Sequence, residues 1–543
     1  MQKPHIIIDA GPGTGKTTTM VAGLNIMQGK KPEWYETATD EQRAIWEQLD
    51  GVYHSIGFQA FNKSIATELQ AKVPSDVAAK TFHAFGYAVL REHGYSFKMS
   101  GDNVKFIVKD QMGYDKNDSM RREDFDQSVI ISKLVSLCKN NLVEPTTDNL
   151  NELAKYNNIE TNGEMKAIQK MCELVINKCR RVQPGEFAWI DFDDMIWLPI
   201  TLDLDFSGCQ YDLLICDESQ DLNPVQHELV LRSGVRLICV GDPRQAIYGF
   251  RGADAKSMTT LKGILEQTHR GVEVLPLMTS FRLPKSGVRN VNGYAAELKA
   301  LPDAIEGEIL EQYIDEVAPS LGDLIVSRIN ANIFSLAFML LKKRVPVRIQ
   351  GREFGNALIK IIKDKCDPKD SIDAARNAIQ EYDVKERTRL SKKTFADRLV
   401  DAHAEKISCL YSLTSGCETV KEMIETIETL FSEDLKRDQV VLLSTVHRAK
   451  GLEADTVYFL EPQLVPHPMA KLDHEKVQEF NLKFVAETRH KKTLVYVYPR
   501  QDDDLRDEQE GREIRDEEIR REIEWDKEVL NDEAFMDALD KDD

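Results

Sequence analysis

Residues 5–27 read HIIIDAGPGTGKTTTMVAGLNIM, and this stretch decides the fold. The apolar, β-branched run Ile6-Ile7-Ile8 is a short buried strand bounded by Gly and Pro. Met20, Val21, Leu24 and Met27 then recur at helical spacing, so a helix starts near Lys16. A strand, a Gly-rich turn and a helix are the setting of a phosphate-binding loop. Gly11, Pro12, Gly13, Thr14, Gly15, Lys16, Thr17 and Thr18 would form the cradle. Backbone N–H groups and the helix N-terminus face the phosphates, and glycines let the backbone come close. Lys16 would reach the β/γ-phosphates, and the Thr17 hydroxyl would face Mg²⁺. The strict pattern has a glycine where this chain has Ala10.

Such a loop needs an acidic partner. Residues 211–226, YDLLICDESQDLNPVQ, supply one. Leu213–Cys216 reads as a buried strand with Asp217 and Glu218 at its carboxyl end, where open α/β sheets bind ligands. Asp217 would hold Mg²⁺, and Glu218 would orient or deprotonate a water. A further strand opens residues 235–254, VRLICVGDPRQAIYGFRGAD. Gln245 is an uncharged group suited to sensing a γ-phosphate. Tyr248, Phe250 and Arg251 combine aromatic faces with a cation, as a single-strand stacking platform requires.

The 543 residues imply roughly three to four domains. No run approaches the roughly 20 apolar residues of a membrane span, and no secretory signal layout is present. Nine cysteines lie scattered without zinc spacing, which points to reduced thiols in the cytoplasm. The net charge is −20, but residues 501–543 alone carry −13. The remaining −7 leaves room for a local basic groove, so nucleic-acid binding is not excluded.

Taken in order, these segments resemble the UvrD/Rep family of superfamily-one DNA helicases. Besides the loop, the resemblance rests on AFNKSIATEL (60–69), TFHAFG (81–86), IDFDDM (190–195), DESQD (217–221) and GDPRQAIYGFRGA (241–253). It continues through TSFR (279–282), VSRINA (326–331), STVHRAKGLEAD (444–455) and NLKFVAETR (481–489). The resemblance implies that Lys16, Thr17, Asp217, Glu218 and Gln245 form the ATP and Mg²⁺ site. It implies that Phe281 stacks on adenine, that Glu453 lies near the ribose, and that Arg282 and Arg489 reach the γ-phosphate from the second motor domain. It places Phe61, Asn62, Phe82, His83, Tyr248, Phe250, Arg251, Thr445 and His447 at or beside DNA. Phe281 stands where Tyr is usual, and Phe250 where Trp is common.

The implied architecture is α/β, with two RecA-like parallel-sheet P-loop motor domains, each carrying an inserted helical domain. The first motor domain spans 1–88 and 185–275 around an insertion at 89–184. The second spans 276–355 and 438–500 around a reduced insertion at 356–437, and 501–543 is an acidic tail. The implied activity is ATP-driven 3′→5′ movement on single-stranded DNA with unwinding of tailed duplex DNA. The alternative is a translocase that displaces proteins and unwinds little. A small-molecule P-loop kinase would leave ten ordered motifs unexplained. A monomer is expected, with a possible protein partner for the tail. The family places a helix with an adenine-recognising glutamine before the loop. Here four residues precede His5, Gln2 is too close to the strand, and TDEQRAI (39–45) with Gln42 lies beyond the loop. Stacking by Phe281 and relaxed nucleotide choice are therefore expected.

Overall fold

A computed structural model describes residues 3–499 apart from 61–62, 116–117, 158, 160, 162–163, 248–255, 392–395 and 469. The expected DNA contacts Phe61, Asn62, Tyr248, Phe250 and Arg251 and the acidic tail lie outside the described residues. The chain divides into two compact units. The first is Met1–Arg282 with Arg389–Val400, and the second is Leu283–Thr388 with Asp401–Asp543.

The first unit contains β1 (His5–Ala10), β2 (Ile56–Ala60), β3 (Val77–Thr81), β4 (Ser96–Met99), β5 (Phe187–Ile190), β6 (Tyr211–Cys216), β7 (Gly234–Gly241), β8 (Val272–Leu277) and the short β9 (Thr279–Ser280). Six of these strands form a parallel sheet in the order β3-β2-β6-β7-β1-β8. Its central strands are apolar on both faces, as helices covering both sides demand. Ile6, Ile8, Leu213, Leu214, Ile215, Ile238 and Val240 are all buried. Each such side chain contributes about 1.5–3 kcal/mol when removed from water. Ile8 sits in register with Val240 and Leu275, and Cys216 with Cys239, so β1, β6 and β7 end side by side.

The strands β4 and β5 form a separate parallel pair. Between them run helices Asn103–Gln111, Arg122–Asn141, Thr147–Tyr156 and Met165–Arg180. Buried Lys139 ties this helical segment to the turn after β5, with its Nζ 2.7 Å from Asp194 and 3.4 Å from Asp191. A buried ammonium persists only when paired in this way.

The second unit contains β10 (Lys299–Ala300), β11 (Glu308–Tyr313), β12 (Leu324–Ser327), β13 (Val347–Ile349), β14 (Val441–Thr445), β15 (Ala454–Leu460) and β16 (His490–Tyr498). Its parallel sheet runs β11-β16-β15-β12-β14-β13. Between β13 and β14 the chain forms helices Arg352–Lys365, Ile372–Leu390, Ala396–Thr414 and Val420–Leu430. The described residues thus include two six-stranded parallel sheets. No described helix is long and apolar enough to cross a membrane.

Candidate nucleotide site

The loop after β1 turns through two glycines in the left-handed region, Gly13 at φ 70° and Gly15 at φ 73°. That conformation disfavours any side chain. Helix α1 (Lys16–Met27) starts directly after Gly15, and no side chain caps it, which leaves its first N–H groups for an anion. The Thr14 hydroxyl donates to the Gly11 carbonyl at 3.0 Å, and Lys16 Nζ to the same carbonyl at 3.3 Å. Ala10 is buried as the last residue of β1, in register with Leu277. Its methyl group is part of the sheet, so the departure from glycine leaves the turn intact.

Asp217 follows β6. Its Oδ2 accepts from the Thr17 hydroxyl at 2.6 Å, so the two expected metal ligands already meet across 200 residues of chain. Burial, then the charge of Glu218, pushes the Asp217 carboxyl up to about 6, against the opposing pull of Thr17 and Lys16. A desolvated carboxylate beside a hydroxyl suits a hard divalent cation. Among the described residues no cluster of three His, Cys, Asp or Glu side chains could hold a metal alone. A cation here would rely on phosphates and water for its remaining ligands.

Glu218 has φ 53°, a strained position for a residue with a side chain. Its carboxylate accepts from Gln220 Nε2. Gln220 Oε1 accepts from the Asp242 backbone N–H at 3.0 Å, and Asp242 Oδ2 accepts from Gln245 Nε2 at 2.7 Å. Arg244 holds the other Asp242 oxygen at 2.7 Å and reaches Asp9 at 2.9 Å. Glu218 and Gln245 are therefore joined through Gln220 and Asp242, which reading the motifs one at a time missed. Gly241 permits the bridge, because a Cβ there would lie 2.5 Å from Gln220 Oε1.

Residues 1–264 match the profile of the UvrD/REP helicase N-terminal domain. F-box DNA helicase 1 of Gallus gallus is 27% identical over 488 residues, covering 81% of this chain and 44% of the relative. The N-terminal part of the chain is thus similar to UvrD/Rep-type DNA helicases. The ATP-dependent DNA helicase Rep of Escherichia coli (strain K12) is 24% identical over 389 residues, 64% of this chain and 53% of the relative. The chain spans about half the length of these relatives. The solved Arterivirus nonstructural protein 10 (helicase) aligns over 92% of this chain and 60% of its own at 9% identity and a TM-score of 0.32, too loose a likeness to bear on the fold.

The first unit runs past the expected change at 275/276 to Arg282. Hydrogen bonds explain the extension. The Gly11 N–H donates to the Leu277 carbonyl at 2.9 Å, the Ser280 hydroxyl to the Pro12 carbonyl at 2.8 Å, and the Phe281 N–H to the Gly13 carbonyl at 2.8 Å. Residues 278–282 form a strap bound to the phosphate loop. Arg282 accordingly belongs to the first unit, not to the second as the sequence suggested. A Cβ on Gly13 would lie 2.4 Å from Arg282 Cβ, and one on Gly15 would lie 3.8 Å from the Phe281 ring. Phe281 is 46% exposed, leaving a face open for stacking.

Arg489, Glu453, Thr445 and His447 lie in the second unit. Arg489 is buried and donates to the Val485 carbonyl and the Thr488 hydroxyl, each at 2.8 Å. Glu453 pairs with Lys491 at 2.6 Å. Thr445 is largely buried at the end of β14, and His447 is partly buried in the short helix that follows. Phe82 corrects a sequence expectation. It is 1% exposed and packs in the first unit's core, so it offers no face to DNA. His83 beside it is partly exposed, and burial lowers its affinity for a proton against the pull of Asp193. Its ring meets Phe192 edge-on at 5.9 Å, and Phe192 is 59% exposed. Phe192 lies within IDFDDM (190–195), an aromatic set among acidic residues.

Proposed function

We propose that this chain binds ATP with Mg²⁺, hydrolyses it in response to single-stranded DNA, and moves 3′→5′ along the strand, opening tailed duplex DNA. The observation that carries this reading is the assembly of Thr17, Asp217, Glu218 and Gln245 at the carboxyl ends of one parallel sheet, through direct contact and the Gln220–Asp242 bridge. The names of relatives, F-box DNA helicase 1 and ATP-dependent DNA helicase Rep, support the same reading. Thr17 and Asp217 would hold Mg²⁺, which when bound offsets phosphate charge. Lys16 and the N-terminus of α1 bind the phosphates, and Phe281 stacks on the base. Glu218 orients the water and accepts its proton. Gln245 senses the γ-phosphate and, through Asp242 and Gln220, is linked to Glu218. Arg282, carried by the strap beside the phosphate loop, adds positive charge against the γ-phosphate.

Unwinding of 3′-tailed, 5′-tailed and blunt duplexes with ATP tests the proposal, with Lys16→Ala as control. Faster opening of the 3′-tailed duplex is expected. Faster opening of the 5′-tailed duplex would overturn the polarity. Strong DNA-stimulated ATPase without displacement would favour a protein-displacing translocase.

A further inference from the structure

The residues after α1 form a brace beside the nucleotide site. Helix α2 (Asp40–Leu49) opens with a capping box in which the Gln42 N–H donates to the Thr39 hydroxyl at 3.2 Å and Thr39 N–H to Gln42 Oε1 at 3.1 Å. The helix is locked onto α1 at one residue. Gln42 Nε2 donates to the Thr19 hydroxyl at 3.1 Å, and Trp46 Nε1 to the Thr19 carbonyl at 2.9 Å. A Cβ on Gly23 of α1 would lie 2.3 Å from Leu49 and 2.9 Å from Trp46, so the two helices approach as closely as a glycine permits. Trp46 also stacks on Tyr35 at 5.6 Å. Gln42 is 2% exposed with both ends of its amide engaged in this brace, so the amide is not turned toward a ligand.

From the first turn of α2, Glu41 reaches the strap. Its Oε2 accepts the backbone N–H groups of Met278 and Thr279 at 2.9 and 3.0 Å. These residues directly follow the end of β8 at Leu277. Two residues further, the strap is bound to the phosphate loop through Ser280 and Phe281. The strap is thus pinned at both ends, and one pin is a charge-assisted pair of hydrogen bonds to a single carboxylate.

We propose that Glu41 is a positioning residue for the nucleotide base: through the Met278 and Thr279 amides it sets where the Phe281 ring stands, and α2 transmits that position from the helix that binds the phosphates. The proposal rests on the reading of this site as an ATP site. It places base recognition in a segment that follows the phosphate loop in sequence and lies beside it in space.

Calorimetric binding to the full chain tests it with two ligands, Mg·ATP and Mg·tripolyphosphate, the second carrying phosphates without a base. Glu41→Ala removes the charge-assisted pair of hydrogen bonds and is expected to weaken ATP by about 10-fold while leaving tripolyphosphate within about twofold. Glu41→Gln keeps an acceptor oxygen and is expected to recover most of the affinity. In a Phe281→Ala background, Glu41→Ala is expected to add little further loss. Equal weakening of both ligands would show a general disturbance of the phosphate loop and overturn the proposal. So would unchanged ATP affinity in Glu41→Ala. A wild-type chain that bound neither ligand would instead overturn the ATP-site reading, and the Glu41 proposal with it.

Discussion

Replacing Gln220 by Met tests whether the bridge from Glu218 to Asp242 matters for hydrolysis. Methionine has a comparable unbranched length and lacks both polar ends, so packing is largely kept while two hydrogen bonds go. Gln220 is 1% exposed, and water does not readily replace either bond. The Glu218 carboxylate loses the donor that steers it. A hydrogen bond to a charged group is worth about 1.5–3 kcal/mol. If that restraint acts in the transition state, kcat falls about 10- to 100-fold, at roughly 1.4 kcal/mol per tenfold. The Asp242 N–H also loses its acceptor at 3.0 Å, costing about 1–3 kcal/mol of stability. That lowers Tm by about 2–4 °C per kcal/mol. The phosphate-loop bonds do not pass through Gln220, so the ATP Kd stays near wild type. The assay is DNA-stimulated ATP turnover beside calorimetric ATP binding and a thermal melt. A folded Gln220→Met protein with kcat within about threefold of wild type would refute the reasoning.

Lys139→Met leaves Asp191 and Asp194 without their buried counter-charge, and destabilisation by about 3–5 kcal/mol is expected, read as a lower Tm by calorimetry. Phe281→Ala removes the half-exposed ring over the loop; ATP KM is expected to rise and the ratio of ATP to CTP turnover to approach one, measured as kcat/KM for each nucleotide. Asp217 gives a pH dependence. Its proton affinity is raised in the folded state, so the protonated form is the stabilised one; that stability is present below about pH 4 and is lost as pH rises through about 6. Mg²⁺ competes with this proton, so the Tm increase on adding Mg·ATP is expected to be small at pH 5 and larger at pH 7.5, and Asp217→Asn is expected to flatten the difference.

The phosphate loop and the carboxylate strand were legible because each is local: an apolar strand, a turn and the residue just beyond its end. Phe82 shows the cost of reading a motif without its periodicity. Phe82, Phe85 and Val89 recur at i, i+3 and i+7, the spacing of a buried helix face, and all three are buried. His83 is one step round the helix and partly exposed. The same helical pattern was available in the sequence, and it separates the two residues that TFHAFG presents together. Gln42 shows the converse. Its place after the loop spoke against a role at the nucleotide site, yet α2 folds back onto Thr19, and its neighbour Glu41 reaches the strap. Order along the chain does not reveal which helix lies beside which turn.

The bridge was illegible for a further reason, and that reason bears on how the site is held. Gln220 and Asp242 are 22 residues apart, and neither follows from a spacing rule. They meet because β6 and β7 pair with Cys216 opposite Cys239, and β7 and β1 with Gly241 opposite Asp9. Side chains alternate faces along a strand, so a slip of one residue would carry Ile215 and Val240 from one packed face of the sheet to the other, into space shaped for different side chains, and would shift the groups at the strand ends with them. The apolar residues of β1, β6 and β7 therefore do more than stabilise the sheet. They fix the register that brings Asp217, Gln220 and Asp242 beside the phosphate loop. Substitutions that merely shrink these residues should lower stability without altering catalytic geometry, whereas Gln220→Met should do the reverse in proportion: a modest loss of stability and a large loss of turnover.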